Sequence, residues 1–170
     1  MRILIADDHA MVRETIAMYL AEGNGAVVDQ VENLEEALEH IRSSEGYDLV
    51  LLDLMMPGMN GLKGLVKTID INGGRAVAIL SGVQSNRIAR DAIDIGARGF
   101  ITKSLPARSL INAIKFIVAG EVYFPPSLME MEEGGEGNSD PVEKFKLTTQ
   151  EAKVLPKLAV GMTNKEIANQ

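Results

Sequence analysis

Five side chains capable of chemistry stand at matching places in a repeating pattern. Asp7 and Asp8 close the apolar run of "MRILIADD", Asp53 closes "LVLLD", Ser81 closes "AVAILS", and Lys103 follows "GFIT". In open parallel α/β sheets, ligand sites form at the carboxyl ends of the strands. If these runs are such strands, three carboxylates, a hydroxyl and an ammonium meet there. Three carboxylates against one ammonium leave surplus negative charge, and like charges about 4 Å apart repel by about 4 kcal/mol at an effective dielectric near 20. A hard divalent cation would offset that. The chain has no cysteine, and its two histidines, His9 and His40, are far apart in sequence. Oxygen ligands point to Mg²⁺, with Mn²⁺ as a substitute. Such a site suits phosphoryl transfer, where positioning and charge neutralisation supply most of the catalysis. A carboxylate can serve as nucleophile and become an aspartyl phosphate.

Asp53 is the better nucleophile candidate. The Pro57-Gly58 turn that follows keeps the backbone open beside it. Asp7 and Asp8 are adjacent, so one can ligate a metal while the other holds a metal-bound water. Taken singly, each of these acids reads as a helix cap or loop residue, and Lys103, Ser81 and Thr102 read as ordinary residues. Only their convergence at matching strand ends argues for a site. His9 reads as a solvent-facing residue at a helix start rather than a ligand.

The elements that must position these groups are legible as alternating patterns. The apolar runs are Ile3–Ala6, Ala26–Val31, Leu49–Leu52, Ala76–Leu80 and Gly99–Ile101. They are nearly continuous, as in parallel strands buried on both faces. A helical pattern follows each. "AMVRETIAMYLAEG" places Met11, Thr15 and Met18 on a shared face and closes at Gly23. Asn33 and Glu36 have capping-box spacing before Ala37, Leu38 and Ile41. "NGLKGLVKTI" puts Leu62, Leu65, Val66 and Ile69 on one stripe. Ser85 caps a helix with Ile88, Ala92 and Ile95 inward, ending at Gly96. Pro106 opens the last helix in its first turn, and Gly120 closes it. The fold expected is α/β, a five-stranded parallel sheet with helices on both faces joined by right-handed crossovers. Dinucleotide binding is the rival α/β reading. It needs a glycine-rich turn after the first strand, but that turn is "DDHAM", acidic where a pyrophosphate would sit.

Composition sets the remaining bounds. The 170 residues suffice for one packed domain and a small remainder, and the formal net charge of -7 does not suggest a nucleic-acid surface over the chain as a whole. The absence of cysteine excludes disulfides and thiolate metal sites, and suits a reducing, cytoplasmic setting. No secretory signal is visible, and no apolar run approaches the ~20 residues of a membrane span. Residues 1–122 read as the α/β domain. Residues 123–145, "YFPPSLMEMEEGGEGNSDPVEKF", read as a flexible acidic linker rich in Gly and Pro. Residues 146–170 regain helical signals, with capping-box spacings at Thr148/Glu151 and Thr163/Glu166. They are too few to bury a core of their own, so the chain reads as stopping within a domain.

Together these residues resemble the receiver domain of two-component response regulators, a CheY-like, flavodoxin-like fold, over about residues 1–122. By position, the resemblance implies that Asp53 is the phosphoacceptor. Asp7 and Asp8 match the acidic pair that binds Mg²⁺ with Asp53, and Met55 the position that lends its main-chain carbonyl. Ser81 matches the hydroxyl switch residue, Gly82 leaves access beside it, Phe100 matches the switch aromatic, and Lys103 the phosphate-pairing lysine. "DDHAMVR", and "LTTQEAKVL" followed by "G" and "TNKEIA", are similar to the NarL/FixJ subfamily with its LuxR-type helix-turn-helix. The sequence ends before a recognition helix, and Pro156 lies inside the first tail helix.

The resemblance implies a phosphorylation-controlled switch rather than an enzyme. A sensor histidine kinase donates to Asp53 with Mg²⁺ present, Ser81 is drawn in, and Phe100 moves inward. Homodimerisation and transcriptional output follow in a full-length form, with DNA bound only when the helix-turn-helix is complete, and with no membrane partner. The alternatives are an interaction module that does not cycle phosphate, and a Mg²⁺-dependent phosphohydrolase with an Asp nucleophile.

Overall fold

Five apolar runs, each too short for a stable helix, can bury both faces only inside a covered sheet. The computed structural model, which describes residues 1–129 except the side chains of residues 22–24, shows that arrangement. The elements in order are β1 (Arg2–Ala6), α1 (Ala10–Asn24), β2 (Val27–Val31), α2 (Leu34–Arg42), β3 (Leu49–Asp53), α3 (Lys63–Ile71), β4 (Ala76–Ser81), α4 (Asn86–Ile95), β5 (Gly99–Thr102), α5 (Ala107–Val118) and α6 (Pro126–Met129). The strands lie in the order β2-β1-β3-β4-β5, and every pair is parallel. One compact unit spans Met1–Pro125; α6 belongs to a second unit, Pro126–Gln170. The expected linker and helix-turn-helix segment, including the capping boxes and Pro156, otherwise lie outside the described residues.

Three of the strands run further at their carboxyl ends than the apolar runs suggested. β3 includes Asp53, β4 includes Ser81 and β5 includes Thr102, so polar residues are the last members of strands. Asp53 pairs in register with Leu80, and Ser81 with Thr102. The site residues are therefore held by the sheet ladder itself.

The sheet is covered on both sides. On one face Ile3, Ile5, Leu51 and Ile101 pack with Ile16 and Leu20 of α1 and Ile114 and Ile117 of α5. The alternate residues Leu4, Val50, Leu52, Ile79 and Phe100 point to the opposite face and are fully buried. There α2 meets β1, α3 meets β4 and α4 meets β5. Each such aliphatic side chain contributes about 1.5–3 kcal/mol by leaving water.

Several helix faces differ from expectation. In α1, Met11 and Met18 are exposed, while Val12, Ile16 and Leu20 face the core. Both stripes have helical spacing, and Arg13 decides between them. Its buried guanidinium bonds to the Asp7 carbonyl and, at 3.0 Å, to Glu32. That fixes the rotation of the helix. The helix ends at Gly25, which adopts φ +59°, rather than at Gly23. In α3 the buried positions are Gly64, Leu65 and Thr68, and Val66 is exposed. Gly64 is needed there because an added Cβ would lie 2.6 Å from Met59 Sδ and 2.9 Å from a Leu34 methyl. In α4, Ala89 and Ala92 are buried and Ile95 is exposed. Asn33 and Ser85 do cap their helices, accepting from the N–H groups of Glu36 and Ile88. Pro106 occupies the cap position itself rather than the first turn.

The edge strand β5 has a partner beyond the sheet. Tyr123 forms a parallel bridge with Gly99, donating to the Arg98 carbonyl and accepting from the Phe100 N–H. At the amino ends of the strands, Tyr47 is fully buried and donates to Asp29 Oδ2 at 2.7 Å. Arg2 pairs with the same oxygen at 2.9 Å and lies 4.7 Å above the Tyr47 ring. Burial and the Asp29 carboxylate push the Tyr47 phenol up to about 12.

An unfolded tyrosine ionises near 10, so the stability lent by Tyr47 is complete below that pH and is lost as pH rises toward about 12. Tyr47→Phe is expected to cost about 2 kcal/mol at neutral pH, measured by urea unfolding. In alkaline titration followed by tyrosinate absorbance, it should also remove the phase near 12. Retention of that phase would place it on another tyrosine.

Candidate functional site

Asp7 immediately follows β1, Asp53 ends β3, Ser81 ends β4 and Lys103 immediately follows β5. The parallel sheet therefore brings them to one rim. Lys103 Nζ lies 2.7 Å from Asp7 Oδ2 and 3.1 Å from Asp53 Oδ1. Both acids are essentially inaccessible, whereas the Asp8 and His9 side chains lie at the mouth. Backbone bonds fix the rim: Asp7 N–H donates to Val31, Leu54 N–H to Leu80, and Lys103 N–H to Ser81 at 2.7 Å.

The charges do not balance. One carboxylate oxygen, Asp53 Oδ2, is buried with no hydrogen-bond partner. Asp7 Oδ2 meets only the Lys103 ammonium. Burial pushes the Asp53 carboxyl above its ordinary range and the neighbouring Asp7 adds to this, while Lys103 and a backbone hydrogen bond from Met55 oppose it. A buried oxygen with a free lone pair, in a pocket holding three carboxylates and one ammonium, fits a hard divalent cation. One ligand atom each from Asp7, Asp8, His9 and Asp53 falls within a 4.8 Å cluster.

Ser81 and Phe100, the expected switch pair, stand at the end of β4 and within β5. The Ser81 hydroxyl is engaged locally, donating to the Val83 carbonyl at 3.2 Å and accepting from the Val83 N–H at 3.0 Å. Phe100 is already fully buried. Gly82 is exposed, and a Cβ there would meet open space. Met55 is exposed at the pocket edge, and the loop after Asp53 is tied to α2 by the bond from Leu34 N–H to the Pro57 carbonyl.

Two contributors were not legible as such. Arg13 lies behind the pocket and grips the Asp7 carbonyl. A single arginine on the inward face of an amphipathic helix, six residues after an acid, was the available clue. His9 donates its backbone N–H to Asp7 Oδ1 at 2.9 Å, which turns its ring back onto the acids. Its Nδ1 lies 2.8 Å from Asp8 Oδ1 and 3.2 Å from Asp7 Oδ1.

Residues 3–115 match the family described as the response regulator receiver domain. The chain is 37% identical over 175 residues to the glycerol metabolism activator of Pseudomonas putida, covering 98% of this chain and 79% of that protein. It is 29% identical over 180 residues to the transcriptional regulatory protein LnrK of Bacillus subtilis, covering 99% of this chain and 81% of that one. A solved LuxR-family two-component response regulator from Aurantimonas superposes with a TM-score of 0.69 at 29% identity, over 76% of this chain and 92% of that one. Among the described residues, no helix is long and apolar enough to cross a membrane.

Stability should respond to each charge separately. Lys103→Met leaves two buried carboxylates uncompensated and is expected to cost about 3 kcal/mol in metal-free urea unfolding at neutral pH. Asp53→Asn should instead stabilise the metal-free protein, because it removes a charge that burial disfavours. A raised carboxyl makes the native state hold its proton longer than the unfolded chain does. The Asn variant's advantage is therefore greatest at neutral pH and shrinks as pH falls into the ordinary carboxylate range. An advantage that grows on acidification would contradict this.

Proposed function

The chain belongs to the response regulator receiver domain family, and from that premise we propose that Asp53 is the phosphoacceptor of a two-component switch. The observation that carries this is the Asp53 carboxylate, whose Oδ2 is buried without a hydrogen-bond partner while Lys103 holds its other oxygen. The protein is a response regulator, with transcription regulators among its relatives.

Lys103 fixes the Asp53 carboxylate through Oδ1 and leaves Oδ2 free to attack in line. A sensor histidine kinase presents a phosphohistidine. The new bond joins Asp53 Oδ2 to phosphorus, the phosphorus–nitrogen bond breaks, and the leaving imidazole takes a proton from solvent. Asp7, Asp8, Asp53 and the main-chain carbonyl of Met55 would hold Mg²⁺, which when bound supplies charge neutralisation for the incoming phosphoryl group. Mn²⁺ has the same preference for oxygen donors. Arg13 keeps Asp7 in place from behind.

The response begins at Ser81. Its hydroxyl must leave the Val83 backbone to donate to a phosphoryl oxygen, and exposed Gly82 leaves the approach open. Phe100, fully buried and paired in register with Ile79 of β4, takes the part of the switch aromatic in this reading. The β4–α4 loop, released by Ser81, carries the signal in this reading. Such a shift requires the phosphoryl group to favour one state by a few kcal/mol. Dimerisation and control of transcription, in the cytoplasm, complete the reading. A turning-over phosphohydrolase is disfavoured because Met55, two residues after Asp53, supplies no acid or base.

Incubation with acetyl phosphate and Mg²⁺ should add one phosphoryl group by intact mass to the native protein and none to Asp53→Asn. Equal labelling of both would remove Asp53 from its role. Ser81→Ala should still be labelled but should lose the chemical-shift changes in residues 82–86 that phosphorylation produces in the native protein.

A further inference from the structure

The pocket contains a donor that an oxygen-only cation site does not need. His9 Nδ1 lies 2.8 Å from Asp8 Oδ1 and 3.2 Å from Asp7 Oδ1. Two donors bound at about 2.0–2.1 Å and at right angles on one divalent ion sit about 2.9 Å apart. The His9–Asp8 and His9–Asp7 separations are close to such edges. The ring is held there by the bond from its own backbone N–H to Asp7 Oδ1. One carboxylate oxygen of Asp53 comes within 4.8 Å of the His9 ligand nitrogen, and Asp53 Oδ2 is buried without a hydrogen-bond partner. Lys103 pairs with the other oxygen of Asp7, Oδ2, and with Asp53 Oδ1.

We propose that His9 is a nitrogen ligand of this pocket, giving it a mixed imidazole–carboxylate donor set that takes borderline divalent ions, Ni²⁺ and Zn²⁺ among them, in preference to Mg²⁺. In such a site the ion would stand where Nδ1 now meets the two acids. Imidazole adds little affinity for Mg²⁺, which prefers hard oxygen. It adds much for the later first-row ions, whose affinity for nitrogen donors rises along the series to copper. A transition ion held by Asp7, Asp8, His9 and Asp53 would compete with Mg²⁺ for the phosphoacceptor carboxylate. The phosphoryl site then doubles as a point where transition-metal excess stops the switch. The proposal rests on the reading of the pocket as a divalent-cation site.

Calorimetric titration of the whole chain with Mg²⁺, Ni²⁺ and Zn²⁺ at one pH tests it. Three variants accompany the native protein: His9→Gln, His40→Gln and Asp53→Asn. His9 and His40 are both exposed, so neither substitution threatens the core. The native protein should bind Ni²⁺ at least about 100-fold more tightly than Mg²⁺. His9→Gln should lose about tenfold or more in Ni²⁺ affinity while changing Mg²⁺ by less than about threefold. His40→Gln should match the native protein, and Asp53→Asn should weaken both ions. With Co²⁺ bound, hyperfine-shifted imidazole ring protons should appear in the NMR spectrum and be absent from His9→Gln. Unchanged Ni²⁺ affinity in His9→Gln, or Ni²⁺ binding indifferent to Asp53→Asn, overturns the proposal while leaving the Mg²⁺ site intact. If the native protein shows no Mg²⁺ binding at all, the cation reading of the pocket fails, and this proposal fails with it.

Discussion

The Lys103 ammonium, shared between Asp7 and Asp53, is the contact on which the rest of the pocket depends. It ties residues at the ends of β5, β1 and β3, and so spans β4 between them. Only a sheet with this strand order puts a lysine from residue 103 against acids from residues 7 and 53. The contact is also incomplete. One cation cannot balance the acids around it, and an oxygen of Asp53 is left bare in a water-excluded place. Folding thus holds the pocket in a state that a cation or a phosphoryl group can improve, which is what a responsive site requires.

Other interactions hold this imbalance in place. Arg13 reaches from α1 to the Asp7 backbone and to Glu32, joining the pocket to the start of α2. At the opposite ends of the strands, Tyr47, Asp29 and Arg2 satisfy one another. The two rims of the sheet therefore differ in kind. The amino-end rim is a closed polar cluster that serves stability, and the carboxyl-end rim keeps an unmatched group.

The strands were legible because a parallel sheet covered on both faces demands uninterrupted apolar runs, and few other structures produce them at that length. The acids, serine and lysine followed, because topology alone assigns them to one rim. Helix facing was less accessible. In α1 the Met11/Met18 and Ile16/Leu20 stripes have equal periodicity, and a long-range bond from Arg13 selected between them. Ile95 looked like core, but α4 packs through Ala89 and Ala92, where small side chains allow closer approach to the sheet. The engagement of Ser81 with Val83 and the turn of His9 onto the acids depend on side-chain rotamers and local backbone, which periodicity does not encode.

The Tyr123 bridge has a consequence for how copies of this unit can meet. A sheet edge normally offers a row of free N–H and C=O groups to any extended chain. Along β5 the Phe100 N–H and Arg98 carbonyl are already taken by Tyr123. Adding a strand there would first require peeling this segment away. Association on that side must be built from side chains on helix surfaces, where charge and shape can be tuned, rather than from main-chain pairing, which accepts almost any sequence. The edge next to the lysine is thereby shielded from indiscriminate aggregation.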